Sequence, residues 1–174
     1  MTQHAVVMGV SGSGKSTIAV LIAERVDWVF ADADSFHPPA NIEKMRVGIP
    51  LTDADRRPWL LALAEWMAEQ SEQGNSTVLA CSALRRSYRD LLSGRTEVGF
   101  IHLHGPAELI EARMKARDHF MPPSLLTSQF ATLEELQEDE VGVVLDLQRS
   151  PEELVDAAVD WLERGPLESC GPQG

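Results

Sequence analysis

The sequence predicts an α/β fold in which buried strands alternate with helices around an open sheet. A glycine-rich loop connects an apolar, strand-like run at residues 4–9 to a helical pattern at residues 15–25. Four further apolar runs recur along the chain and alternate with helical patterns. Runs that are apolar without alternation are typical of strands whose two faces are both covered by helices. These runs lie at residues 28–30, 77–81, 98–103 and 141–147.

The length of 174 residues fits one domain with small insertions. We expect this domain to span residues 1–164, with a substrate-binding insertion at about 35–58 and a short lid at about 118–130. The remaining residues, 165–174, are rich in Gly and Pro and are expected to form a disordered tail.

The first loop matches the phosphate-binding pattern G-x-x-x-x-G-K-[ST], known as the P-loop. Small residues allow backbone N–H groups to close around phosphate oxygens, and the helix that follows presents its positive end to the anion. Lys15 is expected to reach the β- and γ-phosphates, and the Ser16 hydroxyl to bind Mg²⁺. The alternative is a glycine-rich turn that contains a lysine by chance. The predicted nucleotide-binding residues here are Gly9, Ser11, Gly12, Ser13, Gly14, Lys15, Ser16 and Thr17.

Two carboxylates follow the second apolar run, in the segment Ala31-Asp32-Ala33-Asp34. If the strand continues through them, both point to the same face at the carboxyl end of the sheet, where ligands bind in open α/β folds. Two adjacent like charges are costly unless a cation or a proton-acceptor role compensates. We expect Asp32 to serve Mg²⁺ or its water shell and Asp34 to serve a substrate hydroxyl. The alternative is a polar strand end that caps the next helix.

The insertion at residues 35–58 interrupts the alternation of strands and helices. A short helix carrying Lys44 and Arg46 is predicted between two proline-containing breaks, and its bases could hold an anionic phosphate acceptor. His37 is either a substrate contact or a structural hydrogen-bonding group. The next helix is predicted to run to about residue 73. It starts either at a capping box formed by Thr52 and Asp55 or near Pro58.

Two groups of arginines are candidates for binding anions. Arg85, Arg86 and Arg89 lie near the start of a predicted helix, where positive charge opposes the helix dipole and costs roughly 0.3–1 kcal/mol for each affected charge. This placement predicts a site for a carboxylate or phosphate, and a solvated basic face is the alternative. Arg113 and Arg117 share one helix face at the root of the predicted lid. They could stabilise a transferring phosphoryl group or lie on an ordinary surface.

The last predicted strand is followed by Gln148 and Arg149, which are expected near a nucleotide base. Ser150, Pro151 and Glu153 then match the pattern of a helix start.

The charge distribution argues against a nucleic-acid partner. The net charge is -12, and residues 132–174 carry 12 acidic and two basic side chains. No apolar run has the length of a membrane span, and the first apolar run leads directly into the P-loop instead of forming a signal peptide. Two cysteines do not make a disulfide framework. We therefore expect a cytoplasmic protein that binds neither nucleic acid nor membrane.

Longer motifs resemble those of the gluconate kinases, a family of P-loop kinases related to shikimate and adenylate kinases. The resemblance extends from Gly9 to about residue 164, and the acidic pair Glu134-Glu135 departs from it because the following proline is missing. The matching segments are Asp32-Ala33-Asp34-Ser35-Phe36-His37-Pro38, residues 48–56, Pro58-Trp59-Leu60, residues 81–90, His119-Phe120-Met121-Pro122 and Ser128-Gln129-Phe130.

The resemblance implies an adenylate-kinase-like, three-layer sandwich with a five-stranded parallel sheet and a mobile lid. It also implies Mg-ATP as donor, the 6-hydroxyl of D-gluconate as acceptor, and a homodimer. On this hypothesis Lys15, Asp34, Arg113 and Arg117 are catalytic, and Ser16 and Asp32 hold the metal. The predicted substrate-binding residues are Asp34, His37, Arg46, Arg85, Arg89 and His119, and Arg113, Gln148 and Arg149 join the nucleotide site. A kinase of another hydroxy acid, such as shikimate, and a nucleotide-binding module without catalysis are the alternatives.

Overall fold

The computed structural model of the protein describes residues 2–116 and 123–165. The described residues form five strands: β1 (His4–Met8), β2 (Val29–Asp32), β3 (Thr77–Ala80), β4 (Val98–His104) and β5 (Gly142–Asp146). The helices are α1 (Lys15–Val26), a 3₁₀ turn at Ala33–Phe36, α2 (Pro39–Arg46), α3 (Asp53–Glu72), α4 (Arg86–Leu92), α5 (Ala107–Ala116), α6 (Pro123–Thr132) and α7 (Pro151–Glu163).

All the strand pairs are parallel, and the strand order is β2-β3-β1-β4-β5. The central strand β1 is completely buried, which explains why its sequence is apolar without alternation. Its carboxyl end leads into the P-loop, and Asp32 ends β2 at the same edge of the sheet. The predicted α/β fold with a five-stranded parallel sheet is confirmed.

Apolar side chains fill both faces of the sheet. Helices α1, α5 and α7 contribute to the core on one face, through residues such as Ile22, Ile110 and Ala158. Helices α3 and α4 contribute to the core on the other face, where Leu63 and Leu92 are fully buried. The helices and the sheet therefore make three layers, with the ligand-binding edge of the sheet left open above them.

Side-chain caps fix the starts of two helices. In α7 the Ser150 hydroxyl accepts from the Glu153 N–H at 3.2 Å, as the sequence predicts. In α3 the Thr52 hydroxyl accepts from the Asp55 N–H at 3.1 Å, and the Asp55 carboxylate accepts from the Thr52 N–H. The capping box therefore decides the start of α3, and Pro58 lies inside the helix.

A buried ion pair connects α4 to the loop before β5. Arg89 Nε donates to Glu140 Oε1 at 2.6 Å, and the two side chains are 0% and 5% exposed. The same guanidinium donates to the carbonyl oxygens of Ala83 at 2.8 Å and Glu135 at 3.3 Å. Each hydrogen bond satisfies a group that would be costly to bury alone. Arg89 therefore holds the loop that departs from the family pattern.

His102 is another polar side chain that is buried in the fold. It lies on β4, it is 1% exposed, and its Nδ1 has no hydrogen-bond partner among the described residues. Burial lowers the pKa of His102 to about 4, and the nearby His104 and Arg89 act in the same direction. The imidazole is therefore neutral in the folded protein at physiological pH.

Within the described residues, no helix is long and apolar enough to cross a membrane. Part of the predicted lid, residues 118–122, and most of the predicted tail, residues 166–174, lie outside the described residues. The rest of the predicted lid forms α6.

Candidate active site

The P-loop adopts a conformation that depends on its glycines. Gly9 has φ 151°, and a side chain there would lie 2.9 Å from the carbonyl oxygen of Leu103. Gly12 has φ 81°, and a Cβ there would lie 2.7 Å from the sulfur of Met114 on α5. Both positions therefore require glycine for backbone conformation and for space. The loop is packed directly against α5 as a result.

Lys15 is the first residue of α1 and lines the cleft at the open edge of the sheet. Its ammonium donates to the carbonyl oxygen of Val10 at 3.3 Å. Removal from water lowers the pKa of Lys15, and the carboxylates of Asp34 and Asp32 partly oppose this effect. The structure thus brings the P-loop lysine and the two predicted acidic residues into one site.

Ser16 and Asp32 form the oxygen-rich part of the cleft. The Ser16 hydroxyl donates to Asp32 Oδ2 at 2.8 Å. No group of three or more His, Cys, Asp or Glu side chains within residues 2–116 and 123–165 could enclose a metal ion. Mg²⁺ usually takes one or two protein oxygens and completes its shell with water and phosphate oxygens, so a hydroxyl beside a carboxylate fits this ion.

Asp34 does not lie on the strand, contrary to the prediction. The strand β2 ends at Asp32, and Asp34 belongs to the 3₁₀ turn that follows. The turn forms because Asp32 Oδ1 accepts from the backbone N–H of Asp34 at 3.0 Å. Both carboxylates nevertheless line the same cleft, and the side chain of Asp34 is 86% exposed. Asp32 therefore caps the turn that follows it and also lines the cleft, so its position is compatible with both alternatives of the sequence analysis.

His37 is held rigidly beneath Asp34. Its ring stacks on Trp59 with centroids 4.1 Å apart and planes inclined by 15°. The Asn41 amide lies 3.3 Å from Nδ1. An amide donor at Nδ1 leaves the proton of a neutral ring on Nε2, which is 4.0 Å from Asp34 Oδ1. Burial lowers the pKa of His37, Asp34 opposes this effect, and Arg56 adds to it.

Arg56 is a cleft residue that the sequence analysis did not single out. It lines the cleft beside His37 and Trp59, and Nη1 donates to the Leu51 carbonyl at 2.8 Å and to the Tyr88 hydroxyl at 3.0 Å. Among the described residues it is the one arginine that lines the cleft. It belongs to the motif at residues 48–56, which could have indicated it.

The arginines that the sequence predicted as substrate-binding or anion-binding residues, Arg46, Arg85 and Arg86, lie outside the cleft lining. Arg46 is exposed and pairs with Glu43 at 2.7 Å on the same helix. Arg85 lies 3.5 Å from Asp53, whose other oxygen accepts from the Tyr88 hydroxyl. Arg86 pairs with Asp90 and Asp139.

The prediction for Arg89 needs a correction. Its guanidinium is used by the buried pair with Glu140 and does not line the cleft. The helix α4 begins at Arg86, so Arg89 lies in its last turn and its charge does not oppose the positive end of the dipole.

Three described residues predicted to join the nucleotide site, Arg113, Gln148 and Arg149, lie near the carboxyl end of β5. Arg113 Nη2 donates to the carbonyl of Leu147 at 2.8 Å, directly before Gln148 and Arg149. Gln148 and Arg149 are both exposed there. Arg117 and His119 lie outside the described residues.

Gln129 is the second cleft residue to which the sequence analysis assigned no role. Its carboxamide accepts from the Ser11 N–H at 2.7 Å and donates to the Ser11 hydroxyl at 2.9 Å. It belongs to the motif Ser128-Gln129-Phe130, so its signal was present in the sequence without an indication of its partner.

The cleft has a volume of about 240 Å³, and residues of the P-loop, the insertion, α3 and α6 line it together. A phosphate-binding loop after the central strand, which shares one cleft with two carboxylates and with residues of the insertion, defines a P-loop kinase of small molecules. A family model described as Shikimate kinase matches residues 11–162. The gluconokinase of Gluconobacter oxydans (strain 621H) is 46% identical, and the alignment covers 88% of each chain. The chain belongs to the gluconokinase family.

Solved structures agree with this membership. An unliganded sugar kinase from Janibacter sp. HTCC2649 is 56% identical and superposes with a TM-score of 0.91 over 96% of this chain and 98% of that one. A gluconokinase from Sinorhizobium meliloti 1021 is 43% identical, with a TM-score of 0.88 over 96% of this chain and 95% of that one. The relationship therefore extends over nearly the full length of both chains.

Proposed function

We propose that the protein transfers the γ-phosphoryl group of ATP to the 6-hydroxyl of D-gluconate, which yields 6-phospho-D-gluconate and ADP. The observation that carries the proposal is the single cleft that Lys15 of the P-loop lines together with Asp34 and with residues of the insertion, α3 and α6. We call the part of the cleft that the insertion, α3 and α6 line the acceptor chamber. Relatives over 40% identical across most of their length are gluconokinases, which supports gluconate as the acceptor.

The donor side of the cleft binds and orients the phosphates. The backbone of the P-loop and the Lys15 ammonium would hold the β- and γ-phosphates, and Ser16 and Asp32 would hold Mg²⁺ directly or through water. When bound, Mg²⁺ would neutralise the charge that develops on the transferring group. Arg113, Gln148 and Arg149 would complete the nucleotide site, and Arg113 would add positive charge near the phosphates together with Arg117.

The acceptor side orients the attacking hydroxyl. The exposed carboxylate of Asp34 is free to accept a hydrogen bond from the 6-hydroxyl and to take its proton late in the transfer. The neutral His37 beneath it carries its proton on the nitrogen that faces Asp34, so it would help to fix the orientation of that carboxylate.

Arg56 is the residue best placed to bind the carboxylate of the sugar acid. A guanidinium binds a carboxylate with two parallel hydrogen bonds, and Arg56 presents its charge inside the acceptor chamber. The hydrogen bonds to Leu51 and Tyr88 fix its orientation. Arg85 would add positive charge from outside the cleft lining, whereas Arg46 is committed to Glu43.

The test is an assay of ADP release with Mg-ATP and a panel of acceptors. D-Gluconate, shikimate, glycerate and gluconolactone are compared with a sample that contains no acceptor. We expect strong turnover with D-gluconate alone. Shikimate is included because the matching family model carries that name. Turnover with shikimate would assign the chain to that reaction instead, and release of ADP without dependence on any acceptor would contradict phosphoryl transfer to a sugar acid.

We also propose a homodimer that resides in the cytoplasm and does not bind nucleic acid. The resemblance to the family supports the homodimer, and the net charge of -12 opposes binding to a polyanion. Light scattering coupled to gel filtration measures the mass of the protein in solution. A mass of 19.2 kDa, which is that of one chain, would contradict the homodimer.

A further inference from the structure

One side chain connects the phosphate loop to the acceptor chamber. Gln129 Oε1 accepts from the Ser11 N–H at 2.7 Å, and Gln129 Nε2 donates to Ser11 Oγ at 2.9 Å, although the residues are 118 positions apart. An amide carries its donor and its acceptor at fixed positions, so two bonds to one residue fix orientation as well as distance.

The helix that carries Gln129 packs against the core of the domain. Leu126 is 5% exposed in the core, and Phe130 packs against the same core. Just after α6, the N–H of Glu134 donates to the carbonyl of Leu84 at 2.7 Å. A movement of Ser11 must therefore displace the helix or break the two hydrogen bonds.

Gln129 also belongs to the wall of the acceptor chamber. Ser128, Gln129 and Thr132 line the cleft that also contains Asp34. On the other side of the loop, Gly12 packs against Met114 of α5. Adjacent residues of the P-loop thus contact two different helices, and one of these helices carries part of the acceptor wall.

We propose that Gln129 is a positioning residue that couples nucleotide binding to acceptor binding. When phosphates order the P-loop, the position of Ser11 sets the position of Gln129 and hence of the α6 wall, so that each ligand strengthens the binding of the other. This inference rests on the proposed function, because it takes a sugar acid as the second ligand. Coupling between two ligands is reciprocal, and typical values are about 5- to 150-fold in affinity.

The test measures the dissociation constant of D-gluconate by calorimetry, with and without saturating Mg²⁺ and the non-hydrolysable analogue AMPPNP. For the unmodified protein we expect the analogue to tighten D-gluconate binding by about 5-fold or more. Gln129→Met keeps the side-chain length and removes both hydrogen bonds, and we expect its affinity to change by less than about 2-fold when the analogue binds. Gln137→Met is the matched control, because Gln137 accepts from Arg86 outside the cleft lining, and we expect it to behave as the unmodified protein.

A ratio of two affinities is insensitive to a uniform loss of stability, so a purely structural role for Gln129 would not change it. Ser11→Ala removes one of the two hydrogen bonds and keeps the backbone N–H, and we expect intermediate coupling. It provides the same measurement if Gln129→Met does not fold. If Gln129→Met, or Ser11→Ala in its place, binds D-gluconate and shows the same coupling as the unmodified protein, the inference is overturned. Absence of D-gluconate binding and turnover in the unmodified protein would overturn the proposed function as well.

Discussion

The exchange of Glu140 for Gln tests whether Arg89 is a structural residue. Gln has the size of Glu but no charge, so the buried guanidinium would lose its countercharge. The contacts at stake are the hydrogen bonds from Arg89 to Glu140 Oε1 at 2.6 Å and Oε2 at 3.1 Å. Glu140 also accepts from the N–H of Gln137 at 2.7 Å, which holds the loop before β5.

The burial of the pair sets the magnitude of the effect. Side-chain exposures of 0% and 5% place both charges away from water, and removal of one partner of a buried pair typically costs about 3–5 kcal/mol. For a chain of this length each 1 kcal/mol lowers Tm by about 2–4 °C, so we expect a decrease of roughly 6–20 °C. Asp139→Asn is the matched control. Its carboxylate pairs with Arg86 on the same helix but is 70% exposed, and we expect a change below about 4 °C.

Thermal unfolding followed by circular dichroism measures both variants, and the KM for D-gluconate is determined at a temperature where both are folded. A Tm of Glu140→Gln equal to that of Asp139→Asn would refute the structural interpretation. An increased KM with an unchanged Tm would show instead that Arg89 meets the substrate.

Three further predictions concern the cleft and the core. Asp34→Asn keeps the shape of the side chain but cannot accept a proton, so we expect kcat to fall about 10²- to 10⁴-fold with little change in ATP affinity measured by calorimetry, and weakened ATP binding with normal turnover would contradict this role. Arg56→Met should raise the KM for D-gluconate by about 10-fold or more, since a hydrogen bond to a charged group is worth about 1.5–3 kcal/mol. The same exchange at the exposed neighbour, Arg57→Met, should not raise this KM. Equal effects of the two exchanges would refute the role assigned to Arg56. His102 has a folded pKa of about 4, below its usual 6.5, so its contribution of about 3 kcal/mol is present above pH 6.5 and lost as the pH falls toward 4. Urea titrations should show that the free energy of unfolding falls less between pH 6.5 and pH 4 in His102→Leu than in the unmodified protein. Identical pH profiles of the two proteins would contradict the proposed neutral state of His102.

The sequence predicted the features that depend on local pattern. The P-loop, the five strands and the cap at Ser150 each have a signature within a few neighbouring residues, and the structure agrees with them. For α3 the sequence indicated two possible starts, the capping box of Thr52 and Asp55 and the position of Pro58. Propensity alone does not show which of two adjacent starts is used. The chain's membership in its family depended on longer motifs.

The features that the sequence did not predict depend on contacts between distant segments. Alternation placed Asp34 on a strand, but a hydrogen bond from its own N–H to Asp32 turns the chain into a 3₁₀ helix. Clustering of arginines indicated an anion site, but Arg89 forms its ion pair with Glu140, 51 positions away. Gln129 meets Ser11 only because α6 returns to the P-loop. The pattern of one segment carries no information about such partners.

The position of Asp32 has a consequence for local opening of the fold. The P-loop grows from the central strand β1, which is paired on both sides, whereas Asp32 ends the four-residue strand β2 at an edge of the sheet. Edge segments with few hydrogen bonds open more readily than the core, and amide hydrogens there exchange sooner with solvent. On the proposed function, the protein therefore combines a rigid P-loop, which would hold the phosphates, with the more mobile Asp32, which would hold the cation. Mg-nucleotide bound across both would fasten the edge strand to the centre of the sheet, and its release would restore the edge strand's freedom to open.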